Sequence, residues 1–185
     1  MALTLADKEK ISQFAATSNI DIDPTSVLKI EKYYDVLIEW SAKFNLVSHN
    51  DREHIIENHI LDSLGPLNMI PAQCRIIDIG SGAGFPGIPL AIMRPDSHVT
   101  LLESVHKRVQ FLEAAIKSIG LSNTRVLEKR LEVLSATSNY DIATVRALPK
   151  RDLMIPFIHK ILSPSGKIIL FVKRGLYSTL ENSLL

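Results

Sequence analysis

The stretch IIDIGSGAGFPG, from Ile76 to Gly87, constrains the fold more than any other part of this chain. A short apolar run ends at Gly80. Gly82 and Gly84 follow at alternate positions, and GIPLAIMRP continues with helical character until Pro95. This is the pattern of a buried strand that turns sharply into a helix. Glycine at such a turn permits positive φ and lets a ligand lie directly against the backbone. The turn implies an α/β domain with a mainly parallel sheet, whose ligands gather at the carboxyl ends of the strands.

The remaining sequence repeats the alternation. RIIDIG, HVTLLES, NTRVLE, YDIATV and KIILFV read as five strands. GIPLAIMRP, VHKRVQFLEAAIKSIG and RDLMIPFIHKIL read as helices, the last interrupted in its pattern by Pro156, and SPSG reads as a turn. Loops on the ligand edge then begin at Gly80, Glu103, Leu127 or Glu128, Val145 and Lys173. Before Gly65 the pattern is helical. Asp23-Pro24 starts a helix in which Val27, Leu28, Ile30, Tyr34, Leu37 and Trp40 recur at helical spacing. A second run opens near Asn50 or Asp51, carries Ile55, Ile56, Ile60, Leu61 and Leu64, and stops at Gly65-Pro66. The expected organisation is a helical extension over residues 1–70 and an α/β domain over 71–185, packed as one unit.

Composition narrows the setting. The formal net charge of the 185 residues is +1, so bulk charge does not announce a nucleic-acid binder. Cys74 is the single cysteine, which excludes an internal disulfide and fits a reducing compartment. The N-terminus lacks the basic and apolar regions of a signal peptide, and no apolar run has bilayer length. A cytoplasmic protein with no membrane partner, expected as a monomer, follows. His54, Glu57 and His59 do not make a helical zinc pair, because the histidines are five positions apart and diverge in direction. No metal is expected.

Two ligand classes use a glycine turn of this kind. Gly82, Gly84 and Gly87 satisfy G-x-G-x-x-G, a dinucleotide pattern that is weak alone. Asp78 argues against it, because a carboxylate two positions before Gly80 would repel a pyrophosphate seated on the helix N-terminus. S-adenosylmethionine carries an ammonium and a sulfonium and no phosphate, so it suits Asp78. Glu103, at the end of the second strand, is placed to accept from ribose hydroxyls of either cofactor.

A methyl acceptor should leave traces after the fourth strand. Residues 144–149 read TVRALP, without the Asn/Asp-Pro-Pro-aromatic loop of adenine amino-group methylation. Cys74 precedes the first strand, on the far edge of the sheet, away from the place of a cytosine-C5 nucleophile. An acceptor with a free lone pair, such as guanine N7, needs no general base, only positioning. From Arg146 to Arg174 the basic residues are Arg146, Lys150, Arg151, Lys160, Lys167, Lys173 and Arg174, against Asp152 alone. Lys107 and Arg108 open another helix on the ligand edge. This cluster suits phosphate contacts to RNA.

DIGSGAGFPGIPLAI, LLESVHKRVQFL, EWSAKFNL and NLVSHNDREHIIENHILDSL together resemble the bacterial small-subunit rRNA guanine-N7 methyltransferases, the glucose-inhibited division protein B family. The likeness runs from about Trp40 to Lys173. It implies a Rossmann-like class I methyltransferase fold with an N-terminal helical extension, S-adenosylmethionine as cofactor, and methylation of a guanine at N7 in the decoding-region loop of 16S rRNA. The substrate would be small-subunit rRNA or the assembling small subunit. By position, Gly80 and Phe85 match the cofactor turn, with Asp78 and Gly82 beside them. Glu103 matches the ribose-binding acid, and Leu131 and Glu132 the adenine-side loop. Arg146 matches an arginine that contacts cofactor or substrate and is the expected catalytic residue. His59, Lys107, Arg108 and Lys173 are the expected RNA contacts.

Two positions and the length of the tail depart from the family pattern. Asn58 stands where members carry arginine, Arg174 intervenes between Lys173 and Gly175, and only about ten residues follow the fifth strand. That tail is too short for the terminal strand pair of the class, so the pair is expected to be missing. Other readings stay open on the residues alone: a methyltransferase with another RNA or small-molecule acceptor, an NAD-dependent oxidoreductase, which Asp78 disfavours, or a non-catalytic RNA-binding module that keeps the cofactor pocket.

Overall fold

The computed structural model of the protein describes residues 3–135, 139–147 and 151–181. Its strands are β1 (Arg75–Ile79), β2 (His98–Glu103), β3 (Thr124–Glu128), β4 (Tyr140–Arg146), β5 (Leu162–Lys173) and β6 (Leu176–Glu181). They form one sheet in the order β3-β2-β1-β4-β5-β6. The first five are parallel and β6 is antiparallel to β5. β1 pairs with β2 on one side and β4 on the other. The direction of winding therefore reverses between β1 and β4, and a crevice opens at their carboxyl ends.

The helices are α1 (Leu5–Ser18), α2 (Pro24–Ser41), α3 (Asp62–Leu64), α4 (Gly87–Met93), α5 (His106–Ile119) and α6 (Arg151–Ile161). α1 begins in a reciprocal capping box between Thr4 and Asp7. The Asp23 carboxylate accepts from the Thr25 and Ser26 N–H groups and caps α2, with Pro24 at its first turn. The buried face of α2 is Ile30, Tyr33 and Leu37, and it packs against α4 and α5. The expected stripe is shifted here: Leu28 is exposed, and Tyr33 rather than Tyr34 is fully buried. One buried cluster joins these α2 residues to Ile88 of α4 and Phe111 of α5.

Residues 49–69 are helical throughout but not one regular helix. A 3-10 segment, His49–His54, leads to a π segment, Ile56–Leu61, then to α3 and a second 3-10 segment, Gly65–Met69. Gly65-Pro66 therefore changes the winding rather than ending the helix. The π segment buries Ile56, Ile60 and Leu61 while Asn58 and His59 meet the end of β4. Wide turns of this kind re-aim side chains, which is why they recur at functional sites.

Two expectations about β5 and the tail are corrected. SPSG lies inside β5: between Tyr140↔Leu162 and Ile142↔Lys167 the partner strand advances far more than β4, so Ser163–Gly166 bulge out of the ladder. The tail is long enough for one antiparallel strand of the expected pair. β6 closes the sheet after a turn at Gly175, whose φ is +70°. Tyr177 anchors it, with its hydroxyl 2.9 Å from the Asp62 carbonyl oxygen and its ring edge-on to Phe171. Lys150 and residues 148–149 of the loop after β4 lie outside the described residues.

A methyl at Gly65 would meet the Tyr177 hydroxyl oxygen at 2.1 Å. Gly65→Ala is expected to destabilise the protein by about 1–3 kcal/mol and to speed amide exchange in β6. Urea unfolding and hydrogen exchange check this; unchanged β6 protection would contradict it.

Candidate active site

Asp78 sits beneath the glycine turn, fully buried. Its carboxylate accepts from the Thr144 hydroxyl of β4 at 2.8 Å and from the Gly87 N–H at 3.2 Å. The acid expected to face a cationic ligand is therefore engaged inward, tying β1 to β4 and to the start of α4. That corrects its expected role as a direct cofactor contact: a wholly buried side chain has no face toward a ligand. Gly87 has no room for a side chain, since a Cβ there would lie 2.2 Å from Leu101 and 2.8 Å from Asp78. Burial pushes the Asp78 carboxyl up to about 6, against the pull of the Thr144, Ser81 and Gly87 hydrogen bonds.

The turn above it takes positive φ at Gly80, Gly82 and Gly84. Its far side is held from the helical extension. The Tyr33 hydroxyl donates to the Ala83 carbonyl at 2.5 Å, and the Tyr33 ring meets Phe85 edge-on, 5.4 Å between centroids. A Cβ at Gly84 would be 2.9 Å from the Tyr33 oxygen, so close packing as well as φ requires glycine there.

Glu103 ends β2 and is 4% exposed. Its Oε2 accepts from Gly82 N–H at 2.9 Å, and its Oε1 from Ser104 and Val105 N–H at 2.8 and 2.9 Å. Arg108 lies 3.7 Å from Oε2. A carboxylate offers about four acceptor positions, so these three bonds fix its orientation and leave capacity at Oε2. A cavity of about 420 Å³ opens beside it, lined by Gly80, Leu102, Glu103, Leu131, Glu132 and Met154 among others. Apolar walls for a flat ring, an oriented carboxylate for hydroxyl donors and a glycine backbone floor fit an adenosine-bearing cofactor. The expected residues Gly80, Glu103, Leu131 and Glu132 are brought together here. Gly82 contributes its N–H to orienting Glu103, and Phe85 is not in this wall.

A second cavity, of about 560 Å³, lies over the ends of β4 and β5. Its walls include Asp51, Asn58, His59, Arg146, Lys173 and Arg174. Arg146 Nη2 donates to the Asn58 carbonyl at 2.5 Å and to His59 Nδ1 at 2.8 Å, and lies 3.5 Å from Asp62. Arginine only donates, so Nδ1 must accept, and the proton of the neutral ring sits on Nε2. Burial and the neighbouring Arg146 charge hold His59 down at about 4. His59 also stacks on Phe85, 5.0 Å between centroids, which places Phe85 between Tyr33 and His59. The Ser48 hydroxyl holds the Asp51 carboxyl below its usual range.

The expected RNA contacts are divided. His59 and Lys173 share the second cavity with Arg146. Lys107 and Arg108 do not line it: Lys107 lies over the Phe44 ring at 5.4 Å, and Arg108 faces Glu103. Two departures from the family pattern meet each other, since Arg174 Nη1 donates to Asn58 Oδ1 at 2.8 Å. A guanidinium therefore stands beside position 58 although its own side chain is neutral. Sequence reasoning missed Tyr33, Asp62 and Thr144. Tyr33 has only its helical spacing as a signal, whereas Asp62 lies inside HILDSL, a segment already singled out.

A parallel sheet reversing at β1, a glycine turn, an acid ending β2 and an antiparallel closing strand define the Rossmann-like class I methyltransferase fold. Solved structures agree: a SAM-dependent methyltransferase from Aquifex aeolicus aligns over 63% of this chain and 65% of its own, with TM-score 0.54 at 18% identity. TYW2 of M. jannaschii, solved in complex with AdoMet, aligns over 57% and 51%, with TM-score 0.51 at 19% identity. Within that class the chain belongs to the GidB family, rRNA small subunit methyltransferase G, whose profile matches residues 26–181. Proteins called ribosomal RNA small subunit methyltransferase G from Desulforamulus reducens, Chromobacterium violaceum and Wolinella succinogenes are 40%, 30% and 35% identical to it. The matches cover 76%, 95% and 84% of this chain, and 61%, 83% and 79% of those relatives.

The titration of Asp78 gives a test of its burial. Its carboxyl titrates near 3.8 unfolded and about 6 folded, so the folded state holds the extra proton between those values. Stability should fall as pH rises from about 4 to about 6, then level off, by on the order of 2–3 kcal/mol. Asp78→Asn should lose that component in urea unfolding across the range. A variant with the same slope as the parent would assign the titration to another group.

Proposed function

We propose that the protein transfers the methyl group of S-adenosylmethionine to N7 of a guanine in small-subunit rRNA, in the decoding-region loop. The cofactor would lie in the cavity beside Glu103, between the glycine turn and Leu131, and supplies an electrophilic methyl on a cationic sulfur. Glu103 orients a ribose through Oε2, and Leu102, Leu131 and Met154 exclude water from an adenine face. Arg146, Lys173 and Arg174 line the neighbouring cavity and offer positive charge to RNA phosphate or to the base.

The observation that carries the choice of acceptor is the state of His59. It is neutral down to about pH 4, and its Nδ1 is already occupied by Arg146. Asp51, in the same wall, is held below its usual range by the Ser48 hydroxyl and is a weakened base. His59 and Asp51 are therefore poor at removing a proton, and guanine N7 has none to remove. Catalysis would come from holding the base in line and from the oriented Arg146 charge. A loop guanine can be turned out at less cost than one in a duplex. Family membership and the names of the relatives support rRNA as the substrate class.

Methyl-labelled cofactor, incubated with small-subunit rRNA lacking the modification, should yield labelled 7-methylguanosine on digestion of the RNA. The rRNA is supplied naked and in partly assembled subunits. Arg146→Ala should lower the rate about a hundredfold or more. Label in a different nucleoside, or full activity in Arg146→Ala, would contradict the reading.

A further inference from the structure

A third cavity, of about 400 Å³, opens at the opposite edge of the sheet, on the strand starts. Its walls include Arg75 and Tyr140, the first residues of β1 and β4, His98, the first of β2, and Thr100, Thr124 and Arg125. Strand alternation puts Arg75 on the face that carries Ile77 and Ile79. α6 packs over that face along β4 and β5. Among the described residues, β3 is joined to β4 by a 3-10 turn, Leu131–Val133, with no crossover helix. Parallel sheets are normally covered on both faces, and here the starts of β1, β2 and β3 stay open.

The charge in this opening is uneven. Arg125 is anchored by hydroxyls: its Nε donates to Thr100 Oγ1 at 3.2 Å and its Nη2 to Tyr140 Oη at 3.5 Å. These partners orient the guanidinium and leave its charge uncompensated. Arg75 faces Asp141, with Nε 3.4 Å from Oδ2 and Nη2 3.5 Å from Oδ1. His98 adds an imidazole, and the residues lining the cavity include no carboxylate. This is a local excess in a chain whose net charge is +1. Tyr140 is buried and holds the fork through its hydroxyl, while Arg125 is exposed. A guanidinium fork matches phosphate geometry, and its plane can take a flat base. The volume falls within the range of about 300–1,000 Å³ usual for small-ligand sites.

We propose that this cavity is a second nucleotide site, taking the phosphate and base of one nucleotide through Arg125, with His98 and Arg75 at its rim. Its occupant belongs to the RNA substrate, outside the methylated loop, which rests on the function proposed above. β1 separates it from the glycine turn by about 16–17 Å, five residues at about 3.3 Å each. It is therefore filled by a different nucleotide from the one that reacts.

Two arms test this on the full chain with S-adenosylmethionine bound. In the first, guanosine 5′-monophosphate and inorganic phosphate are titrated while the Arg125 side-chain Nε signal is followed by NMR. In the second, the affinity of small-subunit rRNA is measured against salt for the parent and for Arg125→Gln, with cofactor affinity and thermal midpoint as controls. The proposal expects the Nε signal to shift with the nucleotide. It expects rRNA binding about five- to tenfold weaker in Arg125→Gln, with a salt slope shallower by nearly one contact and unchanged cofactor affinity. A shifted signal with unaltered rRNA affinity would overturn the RNA assignment and make the source a free nucleotide. No shift and no change in affinity would overturn the site. If the parent fails to methylate rRNA yet the Nε signal shifts, the proposed function has failed and the nucleotide site has not.

Discussion

A buried carboxylate beneath the glycine turn organises the rest of the site. Asp78 joins Thr144 of β4 to the Gly87 N–H at the start of α4, and does so without exposure to water. A buried acid is tolerated only when hydrogen bonds replace its hydration, and both of its oxygens have one here. The turn cannot relax while those bonds hold. Gly82 is then positioned to orient Glu103, and Tyr33 closes the turn from the helical extension. The acid that looks from the sequence like a ligand contact thus acts by shaping the backbone against which a ligand would lie.

The extension is part of the site rather than an addition to it. Phe85, at the end of the turn, lies between Tyr33 of α2 and His59 of the π segment. Arg146 reaches from β4 to Asn58 and His59, and Asp62 accepts from the Gly175 N–H and the Tyr177 hydroxyl of the terminal hairpin. Burial beside Asp62 pushes the Tyr177 hydroxyl up, so it stays a donor. Cofactor turn, acceptor wall and closing strand therefore share one connected set of side chains, and the short tail after β5 is used to complete it.

The parallel strands and their helices are legible in the sequence because buried strands leave unbroken apolar runs and the turns are marked by glycine and proline. Gly80 and Glu103 are legible for a related reason, since topology puts strand ends on one edge; Leu131 and Glu132 are legible only through the family resemblance of KRLEVL. What depends on three-dimensional closure is not. The side chain of Asp78 could point outward or inward, and only the placement of Thr144 and Gly87 decides. Tyr33 and Tyr34 are equivalent in periodicity until α2 meets the glycine turn. β6 is missed because the residues after β5 are too few for a strand pair, although they suffice for one antiparallel strand. The Ser163–Gly166 bulge looks like a turn because its composition is the same.

The central claim is that the glycine turn and the acid ending β2 together hold S-adenosylmethionine. Calorimetric titration of that cofactor into the parent protein and into Glu103→Gln tests it most directly. The account predicts one site in the parent and binding at least about tenfold weaker in the variant, since a charge-assisted bond to a buried acid contributes about 1.5–3 kcal/mol. No binding to the parent, or equal affinity in the two proteins, would contradict it.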